Sequence, residues 1–253
     1  MGARRRILAI SALKGGVGKT TTAVNLAAAA ARAGRRVLLL DADPQGSVAT
    51  SVGVDGTRGL DAWLTGEASF EEVVVREARP NLDVLPAGAG LLAAEDVLRE
   101  KGKEKRLHRM ARRISDLGGE GYEAIVLDCP PSATLLLSNV YVAADELVLP
   151  AKLDFLSLPA LERTRAFVKL LDEHREKPLK IDGVLPSFYD LRTHVSSDVL
   201  EALREKFTKI LTPIRINATL AEAPSAGKTI YDFDAASRGA VDYALLAEEL
   251  RLG

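Results

Sequence analysis

A short glycine-rich stretch, Lys-Gly-Gly-Val-Gly-Lys-Thr-Thr at residues 14–21, constrains this chain more than any other feature. It follows an apolar run that predicts a strand over residues 7–12, and it opens an alanine-rich run that predicts a helix over residues 20–33. A strand, a glycine loop and a helix in that order are the context of a phosphate-binding loop. Glycines let the backbone turn its N–H groups inward, and the helix start adds partial positive charge. The sequence therefore predicts an anion-binding loop.

Every residue of this loop is a candidate for the phosphate cradle. The residues are Lys14, Gly15, Gly16, Val17, Gly18, Lys19, Thr20 and Thr21. Lys19 would reach the β- and γ-phosphates of ATP or ADP, and the Thr20 hydroxyl would hold Mg²⁺. The loop is a variant, because Leu13 stands where the common pattern has its first glycine and Lys14 adds a second lysine. The alternative is a glycine-rich turn with two solvated lysines.

Acidic residues follow two further apolar runs. Residues 36–40 predict a buried strand that leads to Asp41 and Asp43, and residues 124–127 predict another that leads to Asp128. Open α/β folds bind their ligands at the carboxyl ends of parallel strands. A carboxylate at Asp128 can bind a water molecule of Mg²⁺. For Asp41 and Asp43 the alternative is a pair of acids in a polar turn before Pro44.

Strand and helix patterns alternate along the chain. Further strands are predicted over residues 81–86, 146–150 and 180–186, and helices over residues 59–64, 70–75, 89–98, 104–117, from about 134, and 158–171. This alternation predicts an α/β fold with a doubly wound, mostly parallel sheet and helices on both faces, as in P-loop NTPases. No linker interrupts it, so we expect one domain over residues 1–253.

Composition narrows the function classes. The formal net charge of −1 excludes a general polycation, so any affinity for nucleic acid must come from a local patch. The densest basic run, residues 99–113, is either a solvated helix face or a phosphate or partner contact. No apolar run is long enough to span a bilayer. The single cysteine, Cys129, excludes an internal disulfide and a Cys-x-x-Cys metal site, which fits a cytoplasmic protein.

Residues 14–21 resemble the deviant Walker A box of the ParA/MinD family of ATPases. Asp-Ala-Asp-Pro-Gln-Gly at 41–46, Asp-Cys-Pro-Pro-Ser at 128–132 and Glu-Ala-Pro-Ser-Ala-Gly-Lys at 222–228 are similar to motifs of the ParA/Soj chromosome and plasmid partition proteins. The resemblance implies ATP hydrolysis to ADP and phosphate. It also implies that Asp43 positions or activates the attacking water, that Asp41 lies near the Mg²⁺ shell, and that Lys14 reaches the phosphates of a second subunit.

The same resemblance implies the partners. Expected are a nucleotide-dependent homodimer, non-specific double-stranded DNA, a ParB-like centromere-binding protein and a nucleoid-associated location in the cytoplasm, with no membrane contact. Asn217 keeps the family's adenine-side amide, whereas Ile216 and Thr219 stand at two places that usually hold arginine. One DNA contact of the family is therefore missing or moved. The remaining DNA-binding candidates are Arg192, Arg215, Lys228 and Arg238.

Two alternatives belong to the same superfamily. A membrane-surface switch of the MinD kind is disfavoured, because no basic amphipathic tail follows residues 251–253. A metal- or cluster-carrier ATPase is disfavoured by the lone Cys129, since a cluster that bridges a symmetric dimer is expected to need two cysteines per subunit.

Overall fold

The computed structural model describes residues 5–100, 102, 107–190 and 194–253, without the side chains of residues 194–197. Its strands are β1 Arg6–Ile10, β2 Val37–Asp41, β3 Val75–Arg79, β4 Leu82–Leu85, β5 Ala124–Asp128, β6 Glu146–Lys152 and β7 Lys180–Ser187. They form one seven-stranded sheet in the order β3-β4-β2-β5-β1-β6-β7. All neighbouring strands are parallel except β3 and β4, which are antiparallel. The predicted mostly parallel sheet is confirmed.

Helices cover both faces of the sheet. The helices are α1 Lys19–Arg32, α2 Ser47–Val52, α3 Leu60–Thr65, α4 Phe70–Val73, α5 Leu91–Arg99, α6 Arg109–Asp116, α7 Leu135–Ala143, α8 Ser157–Asp172, α9 His194–Lys206, α10 Ala218–Glu222, α11 Ile230–Asp234 and α12 Arg238–Glu249. Short 3₁₀ turns occupy Leu117–Glu120 and Ala223–Ala226.

Strand β2 shows why the core has two halves. Its side chains alternate, so Val37 and Leu39 join one apolar cluster with α1 and α12, whereas Leu38 and Leu40 join another with α3, α6 and α7. All residues of β2 are buried, as expected for a strand covered by helices on both faces. The many buried alanines of α1 let this helix lie close to the sheet. Because a short loop joins the end of β1 to α1, the first residue of α1 lies at the sheet's carboxyl edge.

One predicted helix needed correction, and another lies partly outside the described residues. The helix predicted over residues 70–75 ends at Val73, and the chain turns into the edge strand β3, whose charged sequence carries no apolar alternation. The helix predicted over residues 104–117 is described only as α6 and the turn after it, because residues 103–106 lie outside the described part of the chain. The other predicted elements are present, with ends shifted by a few residues at most.

Candidate nucleotide-binding site

The glycine loop connects β1 to α1 in the conformation that an anion cradle requires. Gly16 has φ +68° and Gly18 φ +84°, and Gly18 is the residue from which α1 begins. These left-handed angles favour glycine over any L-residue with a side chain. A Cβ on Gly15 or Gly16 would meet nothing within 4 Å, so both positions border open space. The loop is anchored where Ser187 Oγ donates to Val17 O at 2.8 Å. The loop residues therefore lie at the N-terminus of α1 with room for a phosphate.

Lys19 and Thr20 begin α1 and face the loop and the neighbouring strand. The Lys19 side chain is buried, and its Nζ donates to Lys14 O at 3.1 Å across the loop. Thr20 Oγ1 donates to Asp128 Oδ2 at 2.6 Å. The sequence predicted this meeting of residues 20 and 128, and the parallel pairing of β1 with β5 produces it, because Asp128 lies opposite Ile10 at the end of β1.

Asp128 fits a bound cation. Its carboxylate is completely buried, and Oδ1 has no hydrogen-bond partner among the described residues. Burial, followed by the nearby carboxylate of Asp41, raises the pKa of Asp128 well above its usual range. A divalent cation would relieve both effects by compensating the buried negative charge. Mg²⁺ is commonly held by one or two carboxylates, water and substrate phosphates, so Thr20 and Asp128 suit it.

Asp41 lies directly beside Asp128, as its cross-strand partner in the β2–β5 pairing. Both of its oxygens are engaged, since Oδ1 accepts from the Asp43 N–H and Oδ2 from the Val48 N–H, each at 3.0 Å. Burial raises the pKa of Asp41 to about 7, although those two hydrogen bonds oppose the rise. Asp41 thus shapes the turn after β2, and its predicted place in the metal shell stays a prediction. No group of three or more His, Cys, Asp or Glu residues in the described chain is arranged as a metal site made by the protein alone.

Asp43 lies two residues beyond the strand end. Its side chain is largely buried, and Oδ1 accepts from the Gln45 N–H at 3.0 Å. This bond fixes the turn, and Gly46 follows with φ +65° as the residue that starts α2. The same edge of the sheet therefore presents Asp41, Asp43 and Asp128 together, as the sequence predicted. Asp43 is the least deeply buried of the three.

The second lysine of the loop has a partner that the sequence analysis missed. Lys14 Nζ donates to both carboxylate oxygens of Asp154, at 2.7 and 2.8 Å, and to Ser157 Oγ at 3.3 Å. Asp154 follows β6, and Ser157 starts α8. The rule that predicted Asp41 and Asp128 also applies here, because Asp154 is an acid just beyond the carboxyl end of a buried parallel strand.

A pocket of about 250 Å³ opens beside the loop. Its walls include Gly18, Phe188, Asn217, Leu220 and Pro224. The Asn217 side-chain oxygen accepts from the Thr219 N–H at 2.9 Å and caps α10, which leaves its Nδ2 for a base edge. Phe188 has φ +53°, unusual for a residue with a side chain, and its ring lies 3.6 Å from where a Gly18 Cβ would be. The pocket is mostly apolar and adjoins the cradle, as a base pocket should.

The predicted DNA-binding residues have different surroundings. Arg192 lies outside the described residues. The Arg215 guanidinium is bound to the buried carboxylate of Asp242, with Nη2 and Oδ1 2.6 Å apart. Arg238 is exposed at the start of α12, four residues before Asp242. Arg238 and Asp242 therefore lie on the same side of this helix. Lys228 is exposed just before α11. Among the described residues neither Lys228 nor Arg238 has an ion-pair partner, so both present free charge.

Fold and site together define a P-loop nucleoside triphosphatase. Comparison with known proteins narrows this class. Residues 5–181 match the family described as AAA domain. The sporulation initiation inhibitor protein Soj of Bacillus subtilis (strain 168) is 38% identical over 251 residues, which cover 97% of this chain and 98% of Soj. The chromosome partitioning protein ParA of Caulobacter vibrioides (strain NA1000 / CB15N) is 36% identical over 97% of this chain and 93% of its own.

A solved structure with bound nucleotide has the same fold. Cobyrinic acid a,c-diamide synthase from Mycobacterium smegmatis, with bound ADP and magnesium, matches with a TM-score of 0.83 and 29% identity over 98% of this chain and 94% of that one. The chain belongs to the Soj/ParA family of partition ATPases, within the wider ParA/MinD group. The predicted family, fold and ATPase activity are therefore confirmed. In the described part of the chain, every helix is too short or too polar to span a bilayer.

Proposed function

We propose that the whole chain, residues 1–253, works as one ATPase domain that couples ATP binding to dimerisation and to non-specific binding of double-stranded DNA. The observation that carries this proposal is the second loop lysine, whose ammonium group lies beside the phosphate cradle and is held by Asp154. A P-loop needs only one lysine for its own nucleotide. Lys14 is therefore available for a nucleotide bound by another copy of the chain.

The first half of the mechanism is binding. The loop N–H groups and Lys19 would hold the β- and γ-phosphates, and the Asn217 amide would contact the adenine edge in the adjoining pocket. Thr20 and Asp128 would hold Mg²⁺. Asp41, the cross-strand neighbour of Asp128, would lie near the Mg²⁺ shell. Bound Mg²⁺ would supply positive charge that compensates the phosphates during phosphoryl transfer.

The second half is hydrolysis. Asp43 lies at the same sheet edge and would orient the attacking water and accept its proton. Lys14 would leave Asp154 and donate to the phosphates held by the second subunit, where a γ-phosphate offers it charge-assisted hydrogen bonds that ADP does not. A ligand shifts the equilibrium between monomer and dimer only if it binds one of them more tightly. ATP would therefore favour the dimer, whereas ADP, which lacks the γ-phosphate, would favour the monomer. Hydrolysis would then end the dimeric state.

DNA binding would follow from dimerisation. One subunit has a net charge of −1, and its exposed Lys228 and Arg238 provide few phosphate contacts. Two copies would double those contacts and steepen the salt dependence of binding. Arg215 would assist only by leaving Asp242, so we rank it below Lys228 and Arg238, with Arg192 as a further candidate. A ParB-like centromere-binding protein would stimulate hydrolysis and release the DNA, and the protein would act on the nucleoid in the cytoplasm.

The deciding experiment measures retention of a duplex of arbitrary sequence with ATP, with ADP and without nucleotide. We expect the duplex to be retained only in the presence of ATP. Analytical ultracentrifugation should show a dimer in that same condition and a monomer in the other two. Equal retention in all three conditions would refute the coupling between nucleotide and DNA. Pelleting with anionic liposomes in the presence of ATP would instead point to a membrane-surface switch.

A further inference from the structure

Helix α6 carries three arginines in less than two turns, Arg109, Arg112 and Arg113. The apolar residues of α6 pack into the core half that contains α3 and α7, whereas α1 and α12 cover the opposite face of the sheet. The arginines therefore lie on a different face from Lys228 and Arg238. The proposed ATPase mechanism does not use them.

Two of these arginines converge on one point. The Nη2 atoms of Arg113 and Arg109 lie 3.1 and 3.3 Å from where a Cβ on Gly66 would be. Each side chain is held in place, since Arg109 Nε donates to Leu64 O at 2.8 Å and Arg113 lies over the ring of Trp63, 5.9 Å from its centroid. Because both cations are already ordered, a ligand would not have to meet the entropy cost of ordering them.

No ion pair within the described chain neutralises the charge of this cluster. No described carboxylate forms an ion pair with any of the three arginines, although Arg76, Arg79 and Arg215 all have one. Arg113 Nε is buried without an acceptor among the described residues. Burial lowers the pKa of Arg109, and the cations of Arg113 and Arg112 lower it further, whereas the carboxylate of Asp116 opposes this shift. Three like charges held together without an ion-paired carboxylate are an environment that a bound oxyanion would stabilise.

The pattern fits a polyanion better than a folded acidic protein. From Arg109 to Arg113 the helix rises about 6 Å, a distance over which duplex DNA carries about three or four phosphates. Guanidinium groups match phosphate oxygens with paired hydrogen bonds. A protein interface usually has an apolar centre. None of the large apolar side chains exposed in the described chain lies on α3 or α6.

We infer that Arg109, Arg112 and Arg113 of α6 form a second phosphate-binding surface, which holds the backbone of a DNA segment distinct from the one bound near Lys228 and Arg238. This inference rests on the DNA binding proposed above. Its consequence is that one protein assembly bridges two duplexes. The three arginines will be called the α6 arginine surface.

The test is a bridging assay with the full chain and a non-hydrolysable ATP analogue. One duplex is attached to beads, and capture of a second, fluorescent duplex is measured together with the salt dependence of binding to a single duplex. Arg112 is exposed, so Arg112→Glu should leave folding and ATP turnover unchanged. We expect it to reduce capture of the second duplex at least 5-fold. The slope of log K against log salt should become shallower by about 0.9 for each lost phosphate contact.

Two further variants complete the test. The double variant Arg109→Ala/Arg113→Ala should lose capture as strongly, with circular dichroism as the check on folding. Lys177→Glu makes the same change of charge in the exposed loop between α8 and β7 and should behave as wild type. If both α6 variants capture the second duplex normally, or if Lys177→Glu is as defective as they are, the α6 arginine surface is refuted while the proposed function stands. A wild-type protein that retains no DNA with the analogue refutes both.

Discussion

Lys14 and Asp154 form a two-point ion pair, with the Lys14 ammonium 2.7 and 2.8 Å from the two carboxylate oxygens. The pair joins the phosphate loop to the end of β6, and both side chains are only partly exposed. Hydrogen bonds from Lys14 and Ser157 lower the pKa of Asp154 despite its partial burial. A lysine that is to contact the nucleotide of a second subunit must first leave this carboxylate.

We therefore expect opposite effects from the two halves of the pair. Lys14→Ala should bind ATP as a monomer within about 3-fold of wild type, because Lys19 still holds the phosphates, but it should not dimerise with ATP. Asp154→Asn should dimerise at up to about 25-fold lower protein concentration, since each of the two subunits no longer has to break a partly exposed ion pair worth at most about 1 kcal/mol. Analytical ultracentrifugation with ATP measures both. A Lys14→Ala protein that dimerises normally would reduce this lysine to a loop residue without a role across the interface.

Lys19→Ala should lose nucleotide binding. The substitution removes the cation that contacts two phosphates, and charge-assisted hydrogen bonds of about 1.5–3 kcal/mol each correspond to at least a 100-fold rise in Kd. Calorimetric titration with ATP and Mg²⁺ measures it. Lys14→Ala is the matched control, because it removes the same charge from the same loop. Affinity retained in Lys19→Ala would be incompatible with the assigned role of the loop.

Asp43→Ala should bind ATP and dimerise but hydrolyse at least 100-fold more slowly, because a general base of this kind contributes about 10²–10⁴ in rate. The protein should then accumulate as a DNA-bound dimer. Asp55→Ala is the matched control, since Asp55 Oδ1 accepts from the Thr57 N–H at 2.9 Å in a turn like that of Asp43, away from the sheet edge. Single-turnover hydrolysis measures the effect. A wild-type rate in Asp43→Ala would mean that another residue orients the attacking water.

Asp83→Asn should lower the free energy of unfolding by about 2 kcal/mol at pH 7. Burial opposes ionisation of Asp83, but hydrogen bonds from Tyr122, the Glu77 N–H and Arg76 outweigh it and lower the pKa of this carboxyl. A lowered folded-state pKa stabilises the protein above the ordinary aspartate pKa of about 4, and the contribution is lost as pH falls through the folded value.

Urea unfolding at several pH values tests the Asp83 prediction. The difference between wild type and Asp83→Asn should be full above about pH 5 and shrink toward acid pH. Asp96→Asn is the control, because the Asp96 side chain is 85% exposed. A difference that stays constant down to pH 3 would mean that packing, and not the charge of Asp83, supplies the stability.

The local sequence was sufficient to predict the phosphate loop and the residues at which the strands end. Glycines at residues 16 and 18 allow left-handed backbone angles because they lack a Cβ, and short apolar runs such as residues 36–40 and 124–127 predict buried strands. Because the strands are parallel, their carboxyl ends had to share one edge, so the meeting of Thr20 with Asp128 followed from the pattern. The helix propensity of the alanine-rich run after the loop gave α1 to within a residue at each end.

The ion-pair partners of the charged side chains could not be predicted from the sequence. Asp154 lies 140 residues from Lys14, and Asp242 lies 27 from Arg215, so no local pattern links them. The charged edge strand β3 exists because it pairs with β4, not because of its own pattern. Backbone geometry and apolar periodicity are local, so the residue pattern was enough to predict the phosphate loop, the six parallel strands and the acids Asp41, Asp43 and Asp128 at the sheet edge. Side-chain partners and the exposed arginines of α6 depend on distant segments packing together, which only the folded chain specifies.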